Sequence, residues 1–325
     1  MATKDELLLL LEKSRGRVLS GEVVAQQLGI SRAAVGKAIT ALRKEGLQIE
    51  ALTGAGYCLP KDSDFISEAG IRAMPGGGGF ELRVYEKTES TNLLAKQWAM
   101  EENAPHGSMV VTECQTAGRG RLGRSFTSPP GGLYMSIVLR PPKGAPLPML
   151  LTAAAGVAVC QSVQALCKIQ LGIKWVNDLF WQDKKCCGIL TEAASGLENG
   201  AIEYLVVGIG LNYCVKEADF PPEVAAIATS LYPNGGAPVP RTALAADIRG
   251  RLLALFEDMD KGEFLKEYKA RSFVLGKQVQ VLANPTYMAR AVDIDDAAGL
   301  VVETPQGRTT LTAGEISIRP QGRGE

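Results

Sequence analysis

Histidine is nearly missing from this chain: one residue in 325, His106, set between Pro105 and Gly107. A lone loop imidazole with no adjacent nucleophile and no second ligand supports neither a histidine-based triad nor a His-ligated zinc site. Charge imbalance is missing too, because 35 Lys and Arg meet 35 Asp and Glu. That excludes whole-molecule attraction to nucleic acid but leaves room for one basic face. Seven cysteines make an odd number with no Cys-x-x-Cys spacing, and Cys186 and Cys187 are adjacent. Reduced, mostly buried thiols are expected rather than a disulfide framework or structural zinc. The start, Met1 to Glu6, carries acids and runs into leucines too few to span a bilayer or form a signal. A cytoplasmic location without membrane contact is the expectation. No P-loop, internal repeat or low-complexity segment is evident.

What is present is a globular composition, 46% hydrophobic and 22% charged, over a length that calls for two or three domains. The chain is organised around Gln115–Phe126. Gly118, Gly120 and Gly123 have the spacing of a dinucleotide fingerprint, which needs an opening helix after it. Pro129-Pro130-Gly131-Gly132 follows instead and cannot continue a helix. Arg119, Arg121 and Arg124 therefore sit on a glycine-rich loop suited to a phosphate or carboxylate, with a solvated surface loop as the plainer alternative.

Near the N-terminus, Lys4–Ser14 has helical leucine spacing. Ser20 then caps a helix with Val23, Val24 and Leu28 on its apolar side, ended by Gly29. Ser31 caps a second helix with Ala34, Val35, Ala38, Ile39 and Leu42 as its buried stripe. This is a helix-turn-helix, and Ile49–Leu59 reads as a β-hairpin wing. Ser31, Arg32, Ala33 and Lys37 would face DNA, and four cations against Glu45 give a local +3 between Ser31 and Glu45. A protein-interaction module is the alternative.

Lys61–Asp64 reads as a polar linker. Beyond it, helical patterns at Ser90–Met100 and Pro148–Cys167 alternate with strands at Leu82–Tyr85, Val110–Glu113, Leu133–Leu139, Ile173–Trp181, Gly188–Ala193 and Tyr204–Leu211. Thr242–Lys269 reads as helical and Phe273–Ile318 as a small β-barrel. The expected architecture is multidomain α+β: a winged helix-turn-helix over 1–64, a mixed α/β domain over 65–271 and a β-barrel over 272–325.

Three further stretches carry chemistry. Lys174-Trp175-Val176-Asn177-Asp178 precedes a hairpin that leaves Lys184 and Lys185 near its base, where an ammonium could bridge a carboxylate and a phosphate. An exposed turn lysine is the alternative. Ser90-Thr91-Asn92 offers hydroxyls and an amide at a helix start, which could bind a ligand or merely cap the helix. Gly208-Ile209-Gly210-Leu211-Asn212 ends a strand with glycines that let a ligand approach the backbone.

These residues resemble the biotin protein ligases. Gln115–Arg124 is similar to their glycine-arginine loop, Lys174–Asp178 to Lys-Trp-Pro-Asn-Asp, and Lys185–Leu190 to Lys-x-x-Gly-Ile-Leu. Ser31–Val35 with Gly56-Tyr57 resembles the winged helix of the bifunctional members that repress biotin genes, and Gly314–Arg319 the closing motif of their SH3-like C-terminal domain. Val176 replaces the usual proline, and Phe126 stands where tryptophan is common. Neither change deletes a charged group. The resemblance selects Lys185 over Lys184 and implies catalysis by Lys185, Arg119, Arg121 and Asp178. It implies biotin contacts from Ser90, Thr91, Asn92, Gln115, Gly118, Arg119, Gly120, Arg121, Lys185, Gly188 and Gly208. ATP contacts are implied from Arg119, Arg121, Phe126, Asn177, Lys185, Asn212 and Arg319, with Mg²⁺ assisting. Implied partners are a biotin carboxyl carrier protein of acetyl-CoA carboxylase or a similar carboxylase, operator DNA, and a second copy in a ligand-promoted homodimer. A lipoate or octanoyl ligase and a non-catalytic ligand-sensing repressor remain as rivals.

Overall fold

The computed structural model describes residues 3–141, 148–195, 202–312, 314 and 316–318. Helix α1 (Thr3–Lys13) buries Leu7, Leu8 and Leu11 against α2 (Gly21–Leu28) and α3 (Arg32–Lys44). Hydroxyls start the paired helices: Ser20 Oγ accepts from the Val23 N–H and Ser31 Oγ from the Ala34 N–H, each satisfying an otherwise orphan donor. Gly29 ends α2 in the left-handed region at φ 64°. The stripe of α3 is buried at Val35, Ala38, Ile39 and Leu42. One reading fails in α2, where Val23 is 44% exposed and Val24 with Ala25 faces the core instead. The buried face is centred one residue further round the helix.

Strands β1 (Glu50–Leu52) and β2 (Gly56–Cys58) form the antiparallel wing. Its second strand is pinned to the chain before α2 by reciprocal 2.8 Å bonds between the backbones of Leu19 and Tyr57. Gly56 makes this approach possible, because a Cβ there would lie 2.0 Å from the Leu19 carbonyl oxygen.

The polar stretch after the wing is docked rather than free. Ser63 is buried, and Asp64 is held by Arg241, whose side chain is 5% exposed. The Arg241 N–H donates to Asp64 Oδ1 (2.9 Å) and its Nε to Oδ2 (2.7 Å). Nη1 donates to the Gly132 carbonyl (2.9 Å), and Nη2 to the Asp64 carbonyl (3.1 Å) and Glu113 Oε2 (3.2 Å). Polarity in the sequence signalled exposure; the matching buried guanidinium lies 177 residues away.

Helix α4 (Glu68–Ala73) leads into a seven-stranded mixed sheet. Its strands are β3 (Leu82–Tyr85), β4 (Met109–Thr112), β5 (Leu133–Leu139), β6 (Gly172–Lys174), β7 (Asp178–Trp181), β8 (Lys184–Ser195) and β9 (Ile202–Leu211). The order is β3-β4-β5-β9-β8-β7-β6, with only β3 and β4 parallel. Period-two alternation divides the side chains between two cores. Val110, Val138 and Val206 pack with Ala95, Trp98 and Ala99 of α5 (Thr91–Glu101), while Val111, Ile137 and Val207 join the larger core containing α6 (Pro148–Cys167). By length and composition α6 could cross a membrane, but it is mostly buried within the protein as a core helix.

Two expected continuous elements are broken. Residues 173–181 form β6 and β7 separated by Trp175-Val176-Asn177, with a cis Trp175–Val176 peptide. Tertiary bonds hold this break: Trp175 Nε1 donates to the Ala298 carbonyl (2.9 Å), and the Tyr268 hydroxyl to the Val176 carbonyl (2.9 Å). After α7 (Pro222–Ala225), the predicted helix at 242–269 divides into α8 (Arg241–Glu257) and α9 (Phe264–Arg271), with Gly262 at φ 62° closing the turn between them. The C-terminal part is the expected small SH3-like β-domain. Its antiparallel strands are β10 (Gln278–Val281), β11 (Tyr287–Ile294), β12 (Leu300–Thr304), β13 (Gly307–Leu311) and β14 (Ile316–Ile318), ordered β13-β12-β11-β10-β14.

Candidate functional site

The loop between β4 and β5 folds back over the sheet. Gln115 N–H donates to the Ser128 carbonyl (3.0 Å), Phe126 N–H to Gly118 (2.8 Å) and Gly120 N–H to Arg124 (2.7 Å). Its tip is a 3₁₀ turn, Arg121–Gly123, with Leu122 left-handed and 73% exposed. No α-helix opens here, so the glycine spacing serves loop closure: a Cβ on Gly118 would lie 2.3 Å from the Phe126 carbonyl oxygen.

Beneath the loop, β8 and β9 supply a glycine floor. Gly188 faces Gly210 and Leu190 faces Gly208 in the antiparallel register. Cβ atoms on Gly188 and Gly210 would meet the Phe126 ring at 2.9 and 2.5 Å. A Cβ on Gly208 would meet Asn92 Oδ1 at 2.1 Å. The sheet has thus given up side chains where an aromatic ring and an amide must lie flat.

Cations gather in the cleft. Arg119, Arg121, Arg124 and Lys185 line it, with Asp178 as an acidic companion. Lys185 Nζ lies 2.7 Å from Asp178 Oδ1 and 5.6 Å from the centre of the Phe126 ring. Arg121 Nη1 donates to Asn177 Oδ1 (3.3 Å), and Asn177 Nδ2 to the Ile189 carbonyl (3.0 Å). The break between β6 and β7 thereby presents Asn177 and Asp178 to the loop. Lys184 instead donates to the Ala225 carbonyl (2.8 Å), while Lys185 N–H is pinned to Ile227 (2.9 Å).

A neutral hydrogen-bonded wall stands at the start of α5. Gln115 Oε1 accepts from Thr91 N–H (2.8 Å) and lies 3.1 Å from Thr91 Oγ1, and Gln115 Nε2 donates to Ser128 Oγ (2.8 Å). Buried Ser136 Oγ lies 2.8 Å from Thr91 Oγ1 and 2.6 Å from Asn92 Oδ1. Asn92 Nδ2 donates to Glu192 Oε2 (2.8 Å), and Lys96 Nζ lies 3.0 Å from Glu192 Oε1. Burial alone pushes the Glu192 carboxyl up, but the bonds from Asn92 and Lys96, with the charge of Arg119, hold it below the ordinary carboxylate range.

Most of the sequence-selected ligand residues meet in this cleft: Ser90, Thr91, Asn92, Gln115, Arg119, Gly120, Arg121, Phe126, Asn177, Asp178, Lys185, Gly188 and Gly208. Gly118 lines a neighbouring groove on the loop's other side. Asn212 is buried off the cleft wall, with its Nδ2 donating to the Thr229 carbonyl (3.1 Å). Arg319 lies outside the described residues. Ser31, Arg32, Ala33 and Lys37 are exposed together at the start of α3. Arg124 and Gly210, singled out with their motifs, line the cleft too, whereas Ser125 in the cleft and Ser136, Lys96 and Glu192 behind its wall gave no reading from the sequence. Ser136 left a signal, being the lone aliphatic hydroxyl in the apolar run Leu133–Leu139.

The chain is similar to known proteins over most of its length. Residues 84–212 match the biotin/lipoate A/B protein ligase family, residues 3–58 an HTH domain and residues 274–319 the biotin protein ligase C-terminal domain. The bifunctional ligase/repressor BirA of Bacillus spizizenii is 35% identical, covering 97% of this chain and 98% of that protein. A biotin–[acetyl-CoA-carboxylase] ligase of Mycobacterium tuberculosis is 32% identical, covering 74% of this chain and 90% of that protein. The structure of biotin protein ligase from Aquifex aeolicus in complex with biotin and ATP aligns with a TM-score of 0.64 at 29% identity, covering 74% of this chain and 98% of that one.

Proposed function

This chain belongs to the bifunctional biotin protein ligase/repressors, ATP-dependent enzymes that also bind DNA, and on that premise we propose how its residues divide the work. The observation that carries the reading is that one cleft joins a neutral hydrogen-bonding wall of Thr91, Asn92 and Gln115 to the cations Arg119, Arg121 and Lys185. A ligand with a neutral ureido head and a carboxylate tail fits that pairing. The ureido ring lies against Ser90, Thr91, Asn92 and Gln115, and the tail reaches the cations. There the biotin carboxylate oxygen attacks the α-phosphorus of ATP, and the bond to pyrophosphate breaks. Arg119, Arg121 and Lys185 stabilise the developing negative charge, Asn177 orients Arg121, and Phe126 packs beside the nucleotide.

In the second step a lysine amine of the carrier attacks the acyl carbon of biotinyl-adenylate, forming an amide and releasing AMP. Asp178 orients that amine. The carrier is the biotin carboxyl carrier protein of acetyl-CoA carboxylase or a similar carboxylase, and the setting is cytoplasmic. Among the described residues no group of three or more His, Cys, Asp or Glu side chains could hold a metal. Mg²⁺ would come in on the triphosphate, where it would offset charge on the departing pyrophosphate.

Loop closure accompanies ligation in this reading. Arg119, Leu122, Gly123 and Arg124 are exposed around a glycine-rich tip, and arginines drawn onto a bound adenylate order it. Trypsin should cut near Arg121 in the free protein and be suppressed by biotin with ATP. Equal cleavage in both states contradicts the coupling.

For DNA, Ser31, Arg32, Ala33 and Lys37 form the groove-facing start of α3. Arg43 has a structural duty, donating from Nε to the Ile49 carbonyl at 2.8 Å. One winged helix with so few free cations makes too few contacts for tight specificity, so two copies bind a two-fold operator once adenylate promotes the dimer. Arg32→Ala should lower operator affinity at least tenfold, the scale of one lost base or phosphate contact, while labelling of the carrier lysine proceeds as in the unaltered protein. Sedimentation should show dimer rising with biotin and ATP in step with operator affinity. Loss of carrier labelling in Arg32→Ala, or operator affinity indifferent to both ligands, overturns the assignment.

A further inference from the structure

Asn92 presents a problem that packing cannot solve. Its amide oxygen and nitrogen have nearly the same size, so the bare Gly208 backbone beneath it accommodates either orientation. The neighbouring Ser136 hydroxyl does not choose either, because it can donate or accept. Glu192 does choose. An ionised carboxylate only accepts, and its Oε2 lies 2.8 Å from Asn92 Nδ2, with the Leu190 carbonyl as a second acceptor at 3.3 Å. Turning the amide over would set Oδ1 against both acceptors. With Nδ2 held there, Oδ1 must face Ser136, and at 2.6 Å it takes that hydroxyl's single proton.

The consequence passes along the wall. Having given its proton to Asn92, Ser136 Oγ can only accept from Thr91 Oγ1, 2.8 Å away. Thr91 Oγ1 also lies 3.1 Å from Gln115 Oε1, which already accepts from the Thr91 N–H. The Thr91 proton is thus committed within the wall, and its oxygen keeps lone pairs for a ligand N–H. Lys96, one turn beyond Asn92 on α5, holds the other oxygen of Glu192, fixing the carboxylate between helix and strand.

We propose that Glu192 is a positioning residue for ligand recognition: by fixing the Asn92 amide, it sets the donor and acceptor pattern of the wall that reads the ureido head of biotin. This rests on the biotin reading above. Glu192 acts through Asn92 rather than on reacting atoms, and it belongs to the affinity for biotin rather than to the chemical step.

The test measures the KM for biotin, the KM for ATP and kcat of pyrophosphate exchange for Glu192→Ala, Glu192→Gln, Asn92→Ala and the double variant Asn92→Ala/Glu192→Ala. Glu192→Ala should raise the biotin KM roughly tenfold to a hundredfold, the scale of a lost hydrogen bond to a charged group, with kcat and the ATP KM within about twofold. Glu192→Gln should recover little of the loss, because Lys96 takes the one amide oxygen and turns the NH₂ group toward Asn92 Nδ2. The double variant should be no worse than Asn92→Ala alone, because a residue acting through another gives non-additive losses. Additive losses, a fall in kcat matching the rise in KM, or a Gln variant with a near-normal biotin KM would overturn the proposal. Should Glu192→Ala fail to fold, Glu192→Gln still decides: a raised biotin KM, with Asn92→Ala/Glu192→Gln no worse than Asn92→Ala, supports the proposal, and a near-normal biotin KM refutes it. Absence of biotin-dependent exchange in the unaltered protein would instead refute the biotin reading itself.

Discussion

Replacing Lys185 with alanine is expected to slow adenylate formation by about 10²–10³-fold while biotin binding changes far less, on the usual scale of about 2.7–4 kcal/mol for one preorganised stabilising group. Two anions must meet in the first step, and a fixed cation between them gains most as charge passes from carboxylate to phosphate. The fold prepares Lys185 for this. Its N–H is pinned to Ile227, its Nζ stands 2.7 Å from Asp178, and the missing side chain at Gly188 leaves its end clear, since a Cβ there would lie 3.3 Å from Nζ. Lys184 is diverted to the Ala225 carbonyl and cannot substitute. Single-turnover adenylate synthesis beside equilibrium biotin binding separates the effects. Full-rate synthesis in the variant would remove Lys185 from the mechanism.

The second large effect concerns Arg241. Arg241→Ala should lower stability by about 3 kcal/mol, the low end of the cost of removing one partner from a buried ion pair. The low end applies because Asp64 and Glu113 retain some solvent contact, with side chains 23% and 33% exposed. The position is still demanding. One guanidinium ties the segment after the wing to Glu113, just before the arginine loop, and to the Gly132 carbonyl, just after it. Its removal leaves both sides of that junction without their shared donor. Denaturant unfolding followed by tryptophan fluorescence should show a clearly lowered midpoint, whereas an unchanged midpoint would mean that water replaces the clamp without cost.

The parts legible in the sequence were those set by local chemistry. Ser20, Ser31 and Ser90 marked helix starts because a hydroxyl beside an unsatisfied N–H has a short-range preference, and Gly29 marked an end for its left-handed backbone. The opaque parts depended on distant partners. The break at Trp175–Asn177 is held from Ala298 and Tyr268, and the docking of Asp64 depends on Arg241. Motifs brought Lys185, Arg119 and Arg121 forward, but pairing Lys185 with Asp178 required the β7–β8 register, which carries an irregularity between Leu179 and Phe180. Glu192 gave no local signal. Its meaning comes from Asn92, 100 residues earlier, meeting it across the sheet. Asn212 follows the glycines in sequence but lies outside the cleft lining, held by a bond from its Nδ2 to the Thr229 carbonyl that no local pattern announced.

The central claim is that this cleft activates the carboxylate of biotin by joining it to AMP. Exchange of labelled pyrophosphate into ATP measures that reversible step directly, without a carrier protein or DNA. Exchange should require biotin, be absent with lipoate or octanoate, and fall about 10²–10³-fold in Lys185→Ala. Exchange supported equally by lipoate, or none with biotin in a protein that still binds it, would contradict the account and return the cleft to a different acid or to sensing alone.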